Sequence, residues 1–412
     1  MTAEASGSGS AGPGAGGSGS AVDPDAGLLA GRVAELVAGI VGQRWYGAHD
    51  RKVAGARIVD RAAIPAGAAS VDGAGRGGSL RWSLLEVAFT DGEVATYQLV
   101  LDEATGEDAG SRPEVLRWMF PGLAVGQVRP LAGEQSNTSV VVDDATIVKL
   151  FRRVGPPGAR NPDAEMVRAL WEHGFGSVAE PVAEFTRGGR DLAAARRFLP
   201  AATSGWDLLL ERAEVPDELY GLGEVTAHLH VALAEVFGDT PGAPQQWSAV
   251  MIAGLARAPL PDGLDATSRF AAVGALADAG RSIRIHGDYH LGQVLHEAGR
   301  WTVLDFEGEP ARPRAERVAP SSALRDVAGM LRSFSYAAAV GDRPPSWEAG
   351  ARQRFLDGYR SVDEVDRLLP GDPAVLLAAF ELDKAVYEVG YERANRPDWE
   401  AIPLAAVRRL LR

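Results

Sequence analysis

The chain contains no cysteine. Disulfides and thiolate metal sites are therefore excluded, and a reducing, cytoplasmic setting is the expectation. There is no excess of basic charge either: 42 Lys and Arg stand against 55 Asp and Glu, for a net charge of −13. Nucleic-acid binders carry a basic footprint, so that class is set aside, although an anionic ligand held at one local site is not. No long apolar run is present. The most apolar early segment, LLAGRVAELVAGIVG, is interrupted by Arg32 and Glu35. It falls far short of the ~20 apolar residues of a membrane span. Residues 1–22 are mostly Gly, Ala and Ser, with no Lys or Arg. They give neither a targeting signal nor enough apolar surface to offset ordering entropy, so a flexible tail is expected there. The Gly-rich DGAGRGGS (72–79) lacks the Lys followed by Ser or Thr of a Walker-type phosphate loop and reads as a plain loop.

What is present supports sizeable cores. A chain of 412 residues with 46% apolar content is expected to fold as two or three units. Leu29, Val33, Leu36, Val37, Ile40 and Val41 form a helical stripe. ARIVDRAAI and SLLEVAFTDGEVATYQLVLDE alternate with period two, and Asp91-Gly92 is a hairpin turn. Residues 23–118 therefore read as a small α+β cap. TSVVVDDATIVKLF predicts strand, turn, strand, with Ile147, Lys149 and Phe151 on one face of the second strand. Such a lysine is either an edge-strand residue whose stem snorkels to solvent or a functional cation. NPDAEMVRALWEHGFG predicts a helix capped by Asn161, with Pro162 at its first position and Gly174 closing it. Glu165 in its first turn either serves the helix dipole or holds Lys149. From 205 onward helical patterns dominate. A β-rich lobe at 119–200, the connector RRFLPAATSGW and a helical lobe at 201–412 make a bilobal plan with a cleft between them.

The chemistry concentrates in IHGDYHLGQVLHEAGRWTVLDFEGEP, 285–310. Two short strands run into loops, one bearing Asp288 and Gln293, the other Asp305 and Glu307. The five-residue step from Asp288 to Gln293 matches the Asp-x-x-x-x-Asn of a kinase catalytic loop, and Asp305-Phe306-Glu307 stands where a metal-binding Asp precedes Phe. Phosphoryl transfer asks for this set. A carboxylate accepts the proton of the attacking hydroxyl, hard oxygen ligands hold Mg2+ against phosphate, and a lysine oriented by a glutamate neutralises phosphate charge. Lys149, Glu165, Asp288 with Gln293, and Asp305 fall in the required order. A rival reading takes His286, Asp288 and His290 as hydrolase metal ligands with His296 and Asp305 available as further ones; it leaves Lys149 and Gln293 without a role. His228 and His230, two apart on a helix, point to different faces and read as helix residues. A binding-only pseudokinase is opposed by the intact Lys149, Asp288, Gln293 and Asp305.

The motifs GEQSNTS, KLFRR, NPDAEM, TAHLHVALA, HGDYHLGQVL, LDFEGEPARP, RDVAGMLRSFSYAA and DKAVYEVGYERANRPDWEAIPL together resemble the actinobacterial maltokinases and their close relatives, over about residues 30–412. These belong to the aminoglycoside-phosphotransferase-like branch of the kinase fold. The resemblance implies an α+β, bilobal, protein-kinase-like fold with an N-terminal cap, and transfer of the ATP γ-phosphate to a sugar with Mg2+. It implies Asp288 as catalytic base; Gln293, Asp305 and Glu307 as metal ligands; and Lys149 with Glu165 at the nucleotide phosphates. Ser136 and Asn137 fall in a phosphate-covering loop, and Phe198 in the connector facing adenine. His286 and Asp326 brace the catalytic loop. Asp383, Tyr387 and Tyr391, on one helix face, with Trp399 and Glu400, form the expected sugar site; their bland reading is core tyrosines, a Lys384–Glu388 surface pair and a solvated turn. The expected partner is a small sugar, with no nucleic acid or membrane and a monomer favoured. Maltose, phosphorylated at its anomeric hydroxyl, is the first expectation. The alternative is glucosamine, phosphorylated at its 6-hydroxyl by a divergent branch, because the 240–282 insert is short and Trp399 lies between Asp398 and Glu400.

Overall fold

A computed structural model describes residues 24–49, 51–65, 79–131, 136–309, 312 and 314–412. The expectations for the 1–22 tail and for most of the 72–79 loop lie outside those residues. Helix α1 (Pro24–Val41) leads to three antiparallel strands, β1 (Val53–Ile64), β2 (Leu80–Phe89) and β3 (Val94–Asp102). Asp91-Gly92 turns the chain between β2 and β3, with Gly92 at φ 88°. Val33, Leu36, Val37 and Ile40 of the α1 stripe pack on Leu85, Val87, Tyr97 and Leu99 of the sheet. Helix α2 (Pro113–Met119) and strand β4 (Val128–Pro130) follow.

The next lobe is a five-stranded antiparallel sheet in the order β4–β5–β6–β9–β8, built from β5 (Thr138–Val142), β6 (Thr146–Leu150), β8 (Pro181–Arg187) and β9 (Arg190–Arg197). Strand β7 (Arg153–Val154) leaves this lobe and pairs with β3 of the cap, and α3 (Pro162–Glu172) packs below. One core holds Trp82, Leu84 and Val100 of the cap together with Val140, Val148 and Leu192 of the lobe. The cap and this lobe thus share an interior. Strand β6 lies between β5 and β9, so the edge-strand reading of Lys149 is corrected: a central strand presents it to the cleft.

The second lobe contains β10 (Thr203–Ser204), α4 (Gly205–Glu211), α5 (Glu218–Phe237), β11 (Asp239–Pro241), α6 (Pro244–Arg257), α7 (Thr267–Gly274), β12 (Arg281–Ile283), β13 (Val294–Glu297), β14 (Arg300–Val303), α8 (Arg314–Val318), α9 (Leu324–Val340), α10 (Pro345–Arg360), α11 (Ala374–Asn395) and α12 (Ala401–Leu410). Helices α5 and α10 touch backbone to backbone at Gly223 and Gly358. A Cβ on Gly358 would stand 1.9 Å from the Tyr220 carbonyl oxygen, so only glycine permits that approach. Leu222, Leu229, Met330, Phe334 and Phe355 fill the core beneath the catalytic loop. Among the described residues no helix is long and apolar enough to cross a membrane.

Candidate active site

The cleft has two ends. At the first, the Asn161 side chain caps α3 by accepting from the amides of Asp163 (2.9 Å) and Ala164 (3.1 Å). This starts the helix so that Asp163 turns inward. Fully buried, it accepts two bonds from Arg196 (3.1 and 2.8 Å) and one from the Phe306 amide (3.1 Å). Burial alone would raise its carboxyl, but Arg196 and Lys149 outweigh that and hold it below the usual carboxylate range. Lys149 Nζ lies 2.8 Å from Asp305, 3.6 Å from Glu307 and 3.7 Å from Asp163. The expected Lys149–Glu165 pair does not form. Glu165 instead faces Arg284 at 3.4 Å. The reason is helical: residues two apart lie about 200° apart around the axis, so Asp163 and Glu165 cannot both face the lysine.

Asp305, Glu307 and Asp163 bring carboxylate oxygens within 4.8 Å of one another. Burial raises the Glu307 carboxyl, and the charges of Asp305 and Asp163 add to this against the opposing pull of Lys149. The Gln293 side-chain amide reaches Asp305 at 3.5 Å. Asp305 adopts a left-handed backbone (φ 59°), a conformation tolerated by Asp that turns its carboxylate into the cleft. An all-oxygen donor set with surplus negative charge fits a hard divalent cation such as Mg2+. Asp163 is the acid already committed, to Arg196 and to the Phe306 amide. Buried Asn137 donates to Glu307 (3.1 Å) and to Ser136 Oγ (3.2 Å), so this part of the covering loop rests on the acid. In the connector, the Phe198 N–H donates to the Ala145 carbonyl at 2.8 Å.

Between the two ends runs the catalytic loop. Gly287 takes φ 84°, which lets the chain turn sharply just before Asp288. Asp326, at the start of α9, accepts from the amides of His286 (2.7 Å) and Gly287 (2.9 Å) and approaches His230 Nε2 at 3.4 Å. Despite burial its carboxyl is held low, by the His230 bond and by neighbouring imidazoles. His286 Nε2 donates to the Leu304 carbonyl (2.7 Å), and Nδ1 accepts from the Asp288 amide (3.3 Å). Both ring nitrogens are thus engaged with backbone. The metal-hydrolase set of His286, Asp288 and His290 is not assembled, and the acids that gather are Asp163, Asp305 and Glu307. His230 Nδ1 meets Tyr359 Oη at 2.9 Å inside the core.

At the second end stands a residue without an assigned role in the sequence reading. Lys384 on α11 places Nζ 3.0 Å from Asp288 and 2.6 Å from Glu309. Burial would favour its neutral amine, but Glu309 and Asp288 overcome this and hold the ammonium protonated well above the ordinary lysine value. The surface pair of Lys384 with Glu388, the bland alternative, does not form; Glu388 is buried against Arg332 at 2.8 Å. Arg312 bridges Glu309 and Asp383, at 3.1 Å from the latter, and Arg325 lies 3.2 Å from Glu309. Tyr387 lies 5.1 Å from the Lys384 ammonium and stacks on Tyr391. Asp383 and Tyr387 therefore reach the neighbourhood of Asp288, with Tyr391 next along the face. Trp399 and Glu400 are held elsewhere: Trp399 packs on Arg396 and Tyr336, and the Glu400 carboxylate is taken by Arg393 at 2.7 Å. A signal for Lys384 was present in the composition. Only three of the 42 basic residues are lysine, at 52, 149 and 384. A lysine offers a compact single ammonium where arginine offers a planar fork.

A phosphotransferase enzyme family model matches residues 127–365, more than half the chain and all of the site loops. The chain belongs to the phosphotransferase enzyme family. Its fold is the bilobal, kinase-like fold of the aminoglycoside phosphotransferase type. A glucosamine kinase of Streptacidiphilus jiangxiensis is 32% identical over 329 residues, 69% of this chain and 74% of that protein. A glucosamine kinase of Mycolicibacterium smegmatis is 32% identical over 321 residues, 69% of this chain and 79% of that protein. Among solved structures, a glucosamine kinase aligns with TM-score 0.65 and 25% identity, covering 87% of this chain and 95% of its own. A second, in complex with glucosamine, ADP and inorganic phosphate, aligns with TM-score 0.61 and 26% identity, covering 87% of this chain and 94% of its own. The resemblance to a sugar kinase of this family is thereby sustained; the maltokinase choice within it is not what these relatives carry.

Proposed function

We propose that this ATP-dependent sugar phosphotransferase phosphorylates glucosamine at its 6-hydroxyl. Maltose, the first expectation from the motifs, gives way because the relatives at 32% identity are glucosamine kinases. The observation that carries the reading is the ammonium of Lys384 seated between Asp288 and Glu309. Asp288, Glu309 and Asp383 gather acids around that ammonium, and an amino sugar brings a cation that such a cluster can bind. The cavity there, lined by Asp288, Glu309, Arg312, Asp383 and Lys384 among others, is closed to about 10 Å³. Glu309 and Asp383 stand there as acids for an incoming ammonium, and Asp288 faces the attacking hydroxyl.

In this reading Asp288 accepts the proton of the attacking hydroxyl as that oxygen bonds to the γ-phosphorus. The bond from phosphorus to the β–γ bridging oxygen breaks, and ADP leaves. Lys149 faces the phosphates, anchored by Asp305. Gln293, Asp305 and Glu307 would hold Mg2+, which when bound supplies neutralisation of phosphate charge. His286 and Asp326 keep the loop that presents Asp288 in one conformation. ATP consumption measured across glucosamine, glucose and maltose, with the product's phosphorylated position read by NMR, tests the proposal. Glucosamine 6-phosphate is expected, with glucose disfavoured by about 10² or more. Turnover of maltose with none of glucosamine overturns it.

A further inference from the structure

The two arginines of KLFRR take no part in the chemistry above, yet Arg152 is among the largest fully buried side chains of the molecule. It sits three residues after Lys149, where β6 hands the chain to the cap sheet through β7. One end of its guanidinium belongs to the cap: it contacts Asp108 at 2.7 Å and the Gln98 carbonyl at 3.5 Å, and stands over the Trp45 ring. Its Nε donates to Thr138 Oγ1 at 2.8 Å, and its amide donates to Asn137 Oδ1 at 3.3 Å. Thr138 and Asn137 belong to GEQSNTS, and Asn137 in turn donates to Glu307. A continuous polar path therefore runs from the cap, through one arginine, to the covering loop and the acid beneath it. A second strut lies alongside. The buried Gln98 side chain of β3 donates to the carbonyls of Phe151 (3.0 Å) and Leu192 (2.8 Å), tying the cap to the end of Lys149's own strand and to β9 beside it.

We infer that the cap is a positioning device for the nucleotide site, and that Arg152, clamped by Asp108, is the positioning residue that sets Asn137 over Glu307. A buried guanidinium whose ionic partner among the described residues is Asp108 is held in a restricted geometry. Loss of that partner leaves a buried cation to find another; the acceptors its guanidinium already holds are Thr138 Oγ1 and the Gln98 carbonyl, and a shift at Thr138 passes to its neighbour Asn137. The acceptor-sugar end of the cleft makes no contact with this path among the described residues. The cap's effect is therefore confined to nucleotide and metal.

This inference rests on the nucleotide assignment of the covering loop, and the test separates the two. Mg2+–ADP binding by calorimetry on wild-type protein checks the assignment: absence of binding removes it. The inference is checked on Asp108→Asn, whose side chain is one-third exposed and keeps its shape. Its ADP affinity is expected to fall about tenfold, with the KM for ATP rising in parallel, the KM for sugar unchanged, and the melting temperature within a few degrees. Arg152→Gln should show the same split if it folds. ADP affinity in Asp108→Asn equal to a wild type that does bind, or equal losses for ATP and sugar, overturns the inference.

Discussion

The two ends of the cleft are built alike and behave differently. Each sets one lysine among acids: Lys149 with Asp305, Glu307 and Asp163, and Lys384 with Asp288 and Glu309. At the first end Arg196 already neutralises Asp163. The remaining acids then outnumber the cation, which suits a metal and the phosphates it accompanies. At the second end Arg312 and Arg325 hold Glu309, so Lys384 is the cation that meets Asp288. One lysine among acids thus suits an anion and a metal in one place and, in the reading proposed above, an ammonium in the other, according to which arginines stand behind the acids.

The comparison can be broken most severely at the residue between the ends. Asp288→Asn keeps volume and shape, so the melting temperature should hold while turnover falls by ~10²–10⁴, the usual worth of a general base. Activity above half of wild type would remove Asp288 from the mechanism. Next, exchanging each lysine should affect only its own substrate. Lys149→Met is expected to lower kcat/KM for ATP about 10²-fold, leaving the sugar KM nearly unchanged. Lys384→Met should leave the ATP KM within about twofold and raise discrimination for glucosamine over glucose about tenfold, the worth of one charge-assisted bond. A drop in that discrimination would show that the sugar's ammonium sits elsewhere.

Two smaller effects sharpen the same contrast. Glu165→Gln should change the ATP KM by less than about twofold, since Glu165 serves Arg284 and is a partly exposed pair. A large rise would return it to the lysine. Acid stability reports on Asp163 and Asp326, whose folded carboxyls are held low. Such groups stabilise the fold above the unfolded value of about 3.9. That stability is lost as pH falls below it toward the folded values. The melting temperature should therefore drop on acidification below about pH 4, and drop less steeply in Asp163→Asn. An unchanged slope would mean that Asp163 contributes nothing to the acid transition.

Spacing along the chain was enough for the local parts. The Asn161-Pro162 cap, the Asp91-Gly92 hairpin, the Asp288 to Gln293 step and the order of Lys149, Asp288 and Asp305 all depend on contacts within a few residues or on motif order, and each was read from the sequence. Resemblance added the covering loop and the roles of His286 and Asp326. Partner choice was not legible. The sequence reading offered Glu165 to Lys149, and helix rotation turned Asp163 toward it instead. It offered Glu388 to Lys384, four residues along the same helix, and the packing of α11 against the catalytic loop gave the lysine to Asp288 and Glu309 instead. It placed Glu400 beside a tryptophan, and Arg393 claimed it. An ion pair is a relation between residues brought close by the fold, 96 positions apart for Lys384 and Asp288. Residue type and local period establish which groups carry charge and which face they occupy; only the tertiary structure decides which charge meets which.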